Sequence, residues 1–180
     1  MSKFEIAKGY EDKNINLPVR KTGASAGYDF EAAEDIVIPS YHTHMETFGS
    51  NFILDKDALT LSDIASLTKA IKAKPTLIPT GIKCKLNENL YLQLSVRSSC
   101  PLKHWIILAN GVGIIDADYY GNRNNDGAIF FQVINLSPFD IQIKKGVVIG
   151  QGVILPYFTT EDDAALGQRV GGFGSTDGND

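Results

Sequence analysis

Two carboxylates set one residue apart form the densest candidate site in this chain. Residues 113–121 read GIIDADYYG, with Asp116 and Asp118 at alternate positions and tyrosine and glycine directly after them. Carboxylates can take a proton from a reacting group, and alternate positions of a strand project from one face. A hairpin turn in which aspartate accepts hydrogen bonds from local amides would explain the same spacing. The spacing alone leaves both interpretations open.

A second cluster combines positive charge with hydroxyl groups. Arg97, Ser98 and Ser99 follow an alternating segment, and Lys103 comes shortly after them. A guanidinium and two hydroxyls at a strand end suit phosphate oxygens, because they donate charge-assisted and neutral hydrogen bonds. A solvated strand terminus would have the same composition, so the pattern does not decide between the two.

Two further groups of polar residues carry weaker signals. Asp29 stands within AGYDF at residues 26–30, where it is by itself more typical of a turn than of a catalytic site. His42 and His44 lie close together, but neither cysteine nor carboxylate stands at metal-site spacing from them. A zinc site is therefore not expected.

The composition is that of one globular domain. The chain has 180 residues, of which 43% are hydrophobic and 21% charged. A net charge of −4 and a pI near 5.3 give no broad basic face, so direct nucleic-acid binding is not expected. Cys84 and Cys100 are too few to crosslink a domain of this size, and no signal peptide or apolar run of ~18 residues is seen. We therefore expect a cytoplasmic protein without a membrane anchor.

The elements that must position these residues are mainly strands. Residues 90–97, LYLQLSVR, alternate aliphatic and other residues as a half-buried strand does. Short runs bounded by Gly, Pro, Asn or Asp predict further strands at residues 35–39, 76–86, 106–116, 128–136, 139–143 and 147–155. Many short strands with frequent turn residues predict an all-β fold, a sandwich or a jelly-roll-like barrel.

One segment has helical periodicity instead. Apolar residues at 61, 64, 67 and 71 recur at helical spacing behind a Thr–Asp capping pair at 60 and 63. We expect one inserted helix at 61–73, within an insertion of about residues 49–76 on the outside of the β body. From residue 159 the chain turns acidic and then glycine-rich. These patterns predict a packed domain over residues 1–158 and a flexible C-terminal arm over 159–180.

Taken in order, these stretches resemble the five motifs of the homotrimeric dUTP pyrophosphatases (dUTPases). The matching segments are AGYDF (26–30), VRSSCPLKH (96–104), NGVGIIDADYYG (110–121), GVVIGQGVILP (146–156) and RVGGFGSTDG (169–178). The resemblance covers nearly the whole chain, and the third motif is the most specific. It implies a jelly-roll-like β-barrel of the dUTPase or β-clip type, which forms a homotrimer with active sites at its subunit interfaces.

The reaction implied by this resemblance is hydrolysis of dUTP to dUMP and pyrophosphate, which keeps uracil out of DNA and supplies dUMP for thymidylate synthesis. Asp116 matches the carboxylate that deprotonates or orients the water attacking the α-phosphorus. Asp29 would help to order the water shell of Mg²⁺, a cofactor held by the triphosphate and water rather than by a protein cage. The phosphate-binding residues implied are Arg97, Ser98, Ser99 and Gln151.

Recognition of the base and sugar is implied for the third motif. It would form a β-hairpin in which the Asn110 side chain and the backbone at Gly113, Ile114 and Ile115 pair with uracil and exclude a C5 methyl group. Tyr119 would pack beneath the deoxyribose, where a ribose 2′-hydroxyl would collide or stay unpaired.

The fifth motif resembles a mobile arm that closes over the bound nucleotide. Phe173 would stack on the uracil ring, because a base offers a π-face to an aromatic side chain. Glycines would let the arm fold back tightly and would present amides to phosphate. The phosphate contacts implied are Arg169, Gly174, Ser175 and Thr176.

The chain departs from the usual family pattern in several places. Val148 and Ile149 stand where an arginine generally precedes the fourth-motif glutamine, and Arg169 lies one residue closer to the motif-five phenylalanine than in many relatives. Asp177 interrupts the common Ser-Thr-Gly ending, and residues 123–127 form an extra loop after the third motif. The insertion before the second motif is taken as a surface decoration, with a protein-partner site as the alternative.

Two other functions would account for parts of this pattern. A dCTP deaminase shares this fold, but it needs a glutamate in the strand after the third motif, and the corresponding residue here is Gln132, which cannot take a proton. A β-sandwich binding module with a glycine-rich linker would leave the combination of Asp116, Tyr119 and the Arg97 cluster without a purpose. The dUTPase interpretation is therefore preferred.

Overall fold

The computed structural model describes residues 1–42, 74–165 and 167 of the chain. Three sequence predictions fall outside this part: the inserted helix at 61–73, the histidine pair as a unit, since His44 is not described, and the arm contacts of the fifth motif. In the described residues strands dominate, and helix is confined to one six-residue α-helix, one 3-10 turn and the residues Tyr41 and His42. The prediction of an all-β, jelly-roll-like fold is confirmed.

Eleven strands and one short α-helix make up the described part. A single 3-10 turn, Ala117–Tyr119, follows the eighth strand. The bounds are β1 (Lys3–Ile6), β2 (Tyr28–Glu31), β3 (Ile36–Ile38), β4 (Thr76–Pro79), β5 (Ile82–Lys85), β6 (Leu90–Val96), α1 (Ser99–His104), β7 (Ile106–Leu108), β8 (Gly113–Ile115), β9 (Phe130–Asn135), β10 (Ile141–Ile143) and β11 (Val148–Pro156).

The strands pair in four antiparallel groups. The largest sheet has the order β2-β11-β6-β8, and a second sheet has the order β4-β9-β7. Two-stranded pairs, β1 with β5 and β3 with β10, complete the set. Because β11 lies between β2 and β6, it brings the first, second and fourth sequence motifs side by side.

The structure corrects four details of the predicted elements. The run at 76–86 is broken at Gly81, whose φ of 70° suits glycine, and the run at 106–116 is broken by a turn at Gly111 with φ of 72°. The expected β-hairpin of the third motif is not a strand pair, since β7 joins β9 whereas β8 joins β6. Part of the second motif, predicted as a strand end, forms α1.

Close packing between the two larger sheets depends on glycines in β11. A Cβ at Gly150 would lie 2.1 Å from Phe131 Cε1, and one at Gly152 would lie 2.8 Å from Leu92 Cδ1. Phe131 and Phe30 are both fully buried, with ring centroids 5.8 Å apart. The absence of side chains at these two glycines lets the rings reach the β11 backbone, which holds β11 in register with the core.

None of the helices in the described residues is long and apolar enough to cross a membrane. Beyond β11, residues 157–165 are exposed and contain no strand. The domain boundary at residue 158 stays a prediction.

Candidate active site

A first cavity, here called cavity A, opens beside β8 and has a volume of about 280 Å³. Gly113 lets β8 lie close to β6, because a Cβ there would come within 3.1 Å of Leu94 Cβ. The turn before β8 is closed by hydrogen bonds from the Gly111 amide to the Leu108 carbonyl and from the Val112 amide to the Asn110 carbonyl. Cavity A contains six residues predicted for the site: Asn110, Gly113, Ile114, Ile115, Asp116 and Tyr119.

Asp116 and Asp118 do not share a strand face. β8 ends at Ile115, and Asp116 caps the 3-10 turn that contains Asp118. Asp116 is half-buried and lines cavity A, whereas Asp118 is exposed and does not line it. A 3-10 turn, rather than a strand face or a hairpin turn, therefore separates the two carboxylates, and of the pair Asp116 alone lines cavity A.

A second cavity, cavity B, of about 230 Å³, lies on the other side of β6 in the sheet order. On β11, Gln151 pairs with Asp29 of β2 on one side and with Ser95 of β6 on the other. Arg97 follows directly after β6, so three neighbouring strands supply this cavity. The predicted residues that line it are Asp29, Arg97, Ser98 and Gln151.

Gln151 is held at cavity B by close contacts. Its Nε2 donates to Ser95 Oγ at 3.4 Å. Gly27 is buried against the same side chain, because a Cβ there would lie 2.6 Å from Gln151 Oε1. This contact explains the glycine in the AGYDF stretch, which leaves room for the glutamine to lie over the β2 backbone.

Ser99 is placed differently from the prediction. It is the first residue of α1 and lines a separate, mostly apolar cavity with Cys100 and His104 rather than cavity B. Pro101 lies in the first turn of this helix, where backbone amides have no carbonyl partner within the helix. The missing N–H of proline therefore costs no hydrogen bond there. The Arg-Ser-Ser cluster therefore contributes two residues, not three, to cavity B.

Sequence reasoning missed two residues of cavity B, Lys21 and Ser25. They belong to a turn that Arg20 organises, with Nη1 donating to the Gly23 and Ser25 carbonyls at 3.0 and 2.9 Å. The signal that could have found them is a basic and hydroxyl-rich stretch directly before AGYDF. Lys21 gives cavity B a second cation beside Arg97, which suits a polyanion.

The buried cysteines are not nucleophiles. Burial raises the pKa of Cys84 to about 12, and it also raises the pKa of Cys100, where the Arg97 amide and charge oppose it. Both thiols therefore stay protonated at neutral pH, and neither forms a disulfide.

Tyr119 is enclosed by the loop that follows it. Its ring is 7% exposed, and its hydroxyl donates to the Ala128 carbonyl at 3.0 Å and accepts from Asn125 Nδ2 at 2.7 Å. Asn122 Nδ2 donates to the Tyr119 carbonyl at 2.9 Å. The loop at 123–127, treated in the sequence as an extra segment, thus contacts a predicted site residue directly.

An ion pair and an amide hydrogen bond connect this loop to β5 and to the segment after β1. Asp126 accepts from Lys83 Nζ at 2.7 Å and from the Lys8 amide at 2.9 Å. Burial works to raise the pKa of Asp126, but these two hydrogen bonds outweigh it and hold the pKa below its ordinary value. The loop is therefore anchored by Asn122 before it and by Asp126 near its end.

Known proteins resemble the chain in sequence and in fold. A family model described as dUTPase matches residues 57–177. The chain is 35% identical over 175 residues to a deoxyuridine 5′-triphosphate nucleotidohydrolase of Lactococcus lactis subsp. lactis, covering 96% of this chain and 95% of the relative. It belongs to the dUTPase family.

Solved structures support this assignment. A dUTPase from Streptococcus mutans matches with a TM-score of 0.67 and 32% identity, over 88% of this chain and 98% of that one. A mutant dUTPase from phage phi11 of S. aureus, described with a structural Mg(II) ion, shares the fold with a TM-score of 0.59 and 16% identity, over 93% of this chain and 97% of that one.

Gln132, the residue that argues against a dCTP deaminase, lies in cavity A of this dUTPase family member. Gln132 of β9 lines the cavity together with Asp116, and its carbonyl accepts from the Ala109 amide at 2.8 Å. An amide side chain at this position cannot shuttle protons to a cytosine ring. Cavity A therefore holds Asp116 as its carboxylate, and no glutamate among its lining residues.

Proposed function

We propose that this protein hydrolyses dUTP to dUMP and pyrophosphate. The observation that carries the proposal is the half-buried Asp116 carboxylate, which shares cavity A with the β8 backbone, Asn110 and Tyr119. One face of this cavity offers hydrogen bonds for a base edge, and its rim offers a carboxylate for water. Membership of the dUTPase family supports the substrate class.

Base recognition follows from the position of β8 in its sheet. β8 is the last strand in the order β2-β11-β6-β8, and in the described residues it pairs with β6 alone. The outer edge of such a strand presents backbone N–H and C=O groups. At Ile114 and Ile115 these groups can pair with the donor and acceptor edge of uracil, with Asn110 completing the set.

Discrimination against other nucleotides would come from the walls of cavity A. The backbone of β8 and the side chains around it leave a restricted volume of about 280 Å³ for base and sugar. A C5 methyl group would have to displace backbone rather than a flexible side chain. Tyr119 is buried against the loop behind it, so a ribose 2′-hydroxyl at its ring would be left unpaired.

Binding of the phosphates would fall to cavity B. It contains Arg97 and Lys21 as cations and Ser98 and Gln151 as neutral donors. Cavities A and B have no lining residue in common within one protomer. A homotrimer in which cavity A of one subunit meets cavity B of its neighbour would join them, as the family resemblance implies.

Asp29 fits the coordination chemistry of a substrate-bound Mg²⁺. Its Oδ2 is buried and has no hydrogen-bond partner among the described residues, and it lines cavity B. When bound to the triphosphate, Mg²⁺ supplies charge neutralisation at the phosphate oxygens. Asp29 would accept hydrogen bonds from the metal's water shell. Among the described residues no three His, Cys, Asp or Glu side chains converge to form a protein cage.

Turnover would begin with a water molecule positioned by Asp116. The carboxylate accepts the proton as the water oxygen bonds to the α-phosphorus, and the bond from that phosphorus to the bridging oxygen breaks. Pyrophosphate leaves with the bridging oxygen and dUMP keeps the new one. The triphosphate would be aligned for this attack by Arg97, Gln151 and the Ser98 hydroxyl.

The remaining predictions complete the proposed function. The arm residues Arg169, Phe173, Gly174, Ser175 and Thr176 would close over the nucleotide, and the enzyme would act in the cytoplasm to keep uracil out of DNA. The insertion of about residues 49–76 stays a candidate for a protein partner.

The test replaces Asp116 with asparagine. Asp116→Asn should retain binding of a non-hydrolysable dUTP analogue, measured by calorimetry, but lose about 10²- to 10⁴-fold in pyrophosphate release, the usual contribution of a general base. Asp118→Asn is the matched control, because Asp118 is exposed and outside cavity A, and it should lose less than about tenfold. Unchanged turnover in Asp116→Asn would remove this residue from the role. Release of ammonia from dCTP by the wild-type protein would instead favour a deaminase.

A further inference from the structure

The loop at residues 122–128 provides two hydrogen-bond partners for the hydroxyl of Tyr119. The hydroxyl donates to the Ala128 carbonyl at 3.0 Å and accepts from Asn125 Nδ2 at 2.7 Å. Tyr119 is 7% exposed, and its bond to Ala128 is buried while its bond to Asn125 is partly buried. A phenol in this state has one preferred position, because a swing of the ring about the Cα–Cβ bond would break these hydrogen bonds.

Asn125 is itself fixed by the same loop. Its Oδ1 accepts from Asn122 Nδ2 at 2.8 Å and from the Gly127 amide at 3.2 Å. The Oδ1 of Asn122 accepts from the amides of Asn124 and Asn125 at 3.0 and 3.2 Å. Every polar atom that orients the Asn125 side chain is thus provided locally, so its Nδ2 points at the Tyr119 hydroxyl without freedom to turn away.

The loop also lies directly against the backbone of the third motif. Gly127 has a φ of 80°, and a Cβ there would lie 2.8 Å from the Tyr119 carbonyl oxygen and 2.9 Å from Tyr120 Cα. Asn122 Nδ2 bonds the same carbonyl at 2.9 Å. The loop therefore contacts Tyr119 at its backbone and at its hydroxyl, and Tyr119 also lines cavity A.

We propose that Asn125 is a positioning residue that holds the Tyr119 ring as a rigid wall of cavity A and thereby sets the preference for deoxyribose over ribose nucleotides. This inference rests on the proposed function, in which Tyr119 packs against the sugar. A ring fixed at its backbone and at its hydroxyl cannot swing away from a 2′-hydroxyl, whereas a ring without its hydroxyl anchor can swing about the Cα–Cβ bond and admit one. Asn125 touches neither base nor phosphate and acts through Tyr119.

The experiment measures kcat/KM for dUTP and for UTP in the full-length protein. Asn125→Ala should lower the dUTP/UTP ratio of kcat/KM about tenfold, the size expected for one lost buried hydrogen bond. The change should appear mainly as a lower KM for UTP, with KM for dUTP and both kcat values less affected. Asn124→Ala is the matched control, because Asn124 is the adjacent exposed asparagine and its backbone amide, not its side chain, bonds Asn122. Its ratio should equal that of the wild type.

A second variant keeps the proposal falsifiable if Asn125→Ala does not fold. Tyr119→Phe removes the hydroxyl and keeps the ring, and it should lower the same ratio to a similar extent. In the double variant the ratio should fall no further than in either single variant, because both changes break one link. An equal loss of kcat/KM for dUTP and UTP in Asn125→Ala, or an unchanged ratio in Tyr119→Phe, would overturn the proposal. A wild-type protein that releases no pyrophosphate from dUTP would instead overturn the proposed function.

Discussion

Replacement of Gly150 with alanine should destabilise the fold more than any ordinary surface change. The new Cβ would lie 2.1 Å from Phe131 Cε1 and 2.7 Å from both Cδ1 and Cζ. Ordinary carbon–carbon contacts lie near 3.5 to 4.0 Å, so the ring or the strand must move by more than about 1 Å.

Neither group can move at low cost. Phe131 is fully buried and packs on Phe30 with ring centroids 5.8 Å apart, while β11 is hydrogen-bonded to β2 on one side and β6 on the other. Overpacking of this kind costs about 1 to 3 kcal/mol of stability, and the cost is near the upper end of this range where neither the ring nor the strand can relax. We therefore expect Gly150→Ala to lower the free energy of unfolding by about 3 kcal/mol.

Urea unfolding followed by far-ultraviolet circular dichroism measures this loss. The single tryptophan is a poor probe, since Trp105 is 63% exposed. Protein concentration must be held constant, because assembly would contribute to the apparent stability. Gly23→Ala is the matched control, with no atom within 4 Å of its Cβ, and it should change stability by less than about 0.5 kcal/mol.

A double-mutant cycle identifies the cause. Phe131→Leu removes the ring atoms that the new methyl group would meet, at a cost of its own for the cavity it leaves. The double variant should be more stable than the sum of the single effects predicts, by about 1 kcal/mol or more. The reasoning would be refuted by additive effects, or by a Gly150→Ala variant within about 0.5 kcal/mol of the wild type.

Three further perturbations test other parts of the structure. Gly27→Ala should change stability by less than about 1 kcal/mol, because the new Cβ would lie 2.6 Å from the flexible end of the Gln151 side chain, which can move. Displacement of Gln151 should lower kcat/KM for dUTP at least about tenfold. Full activity in a pyrophosphate assay would remove Gln151 from phosphate binding. Asp126→Asn should destabilise the fold at neutral pH by about 1 to 3 kcal/mol. The folded pKa of Asp126 lies below the ordinary 3.8, so its contribution is present above that value and is lost as the pH falls through the folded pKa. The difference from wild type in urea unfolding should therefore shrink as the pH is lowered below 3.8, and a difference that stays constant over that range would contradict this. Deletion of residues 169–180 should leave the oligomer intact by size-exclusion chromatography and slow hydrolysis, and a fully active truncated protein would show that the arm is dispensable.

Local periodicity predicted the strands that stay in one sheet. The alternating segment LYLQLSV is β6 with its predicted bounds almost unchanged, β9 falls within its predicted run, and β11 exceeds its run by one residue. The runs at 76–86 and 106–116 were predicted as single strands because apolar residues continue through their turns. What breaks them is a backbone with positive φ at Gly81 and Gly111, and glycine in a sequence does not show which sign of φ it adopts.

The short helix α1 could not be predicted from periodicity. Its sequence, SCPLKH, covers six residues and buries Cys100 alone, so it has no repeating apolar face. β1 was missed for a related reason, since four residues are too few to establish alternation. Both elements exist because the rest of the fold packs against them.

The sequence by itself determined the chemistry: a carboxylate in a glycine-flanked motif, a cationic cluster after a strand, and five motifs in the order of one enzyme family. Only the tertiary structure decided which of these residues share a cavity. Strand order places β11 between β2 and β6 and puts β8 at the edge. The fold also turns Ser99 away from cavity B, brings Lys21 into it, and sets Asn125 against the Tyr119 hydroxyl. Strand pairing joins residues far apart in the chain, and its outcome depends on how buried rings and glycines fit together, which no local pattern encodes.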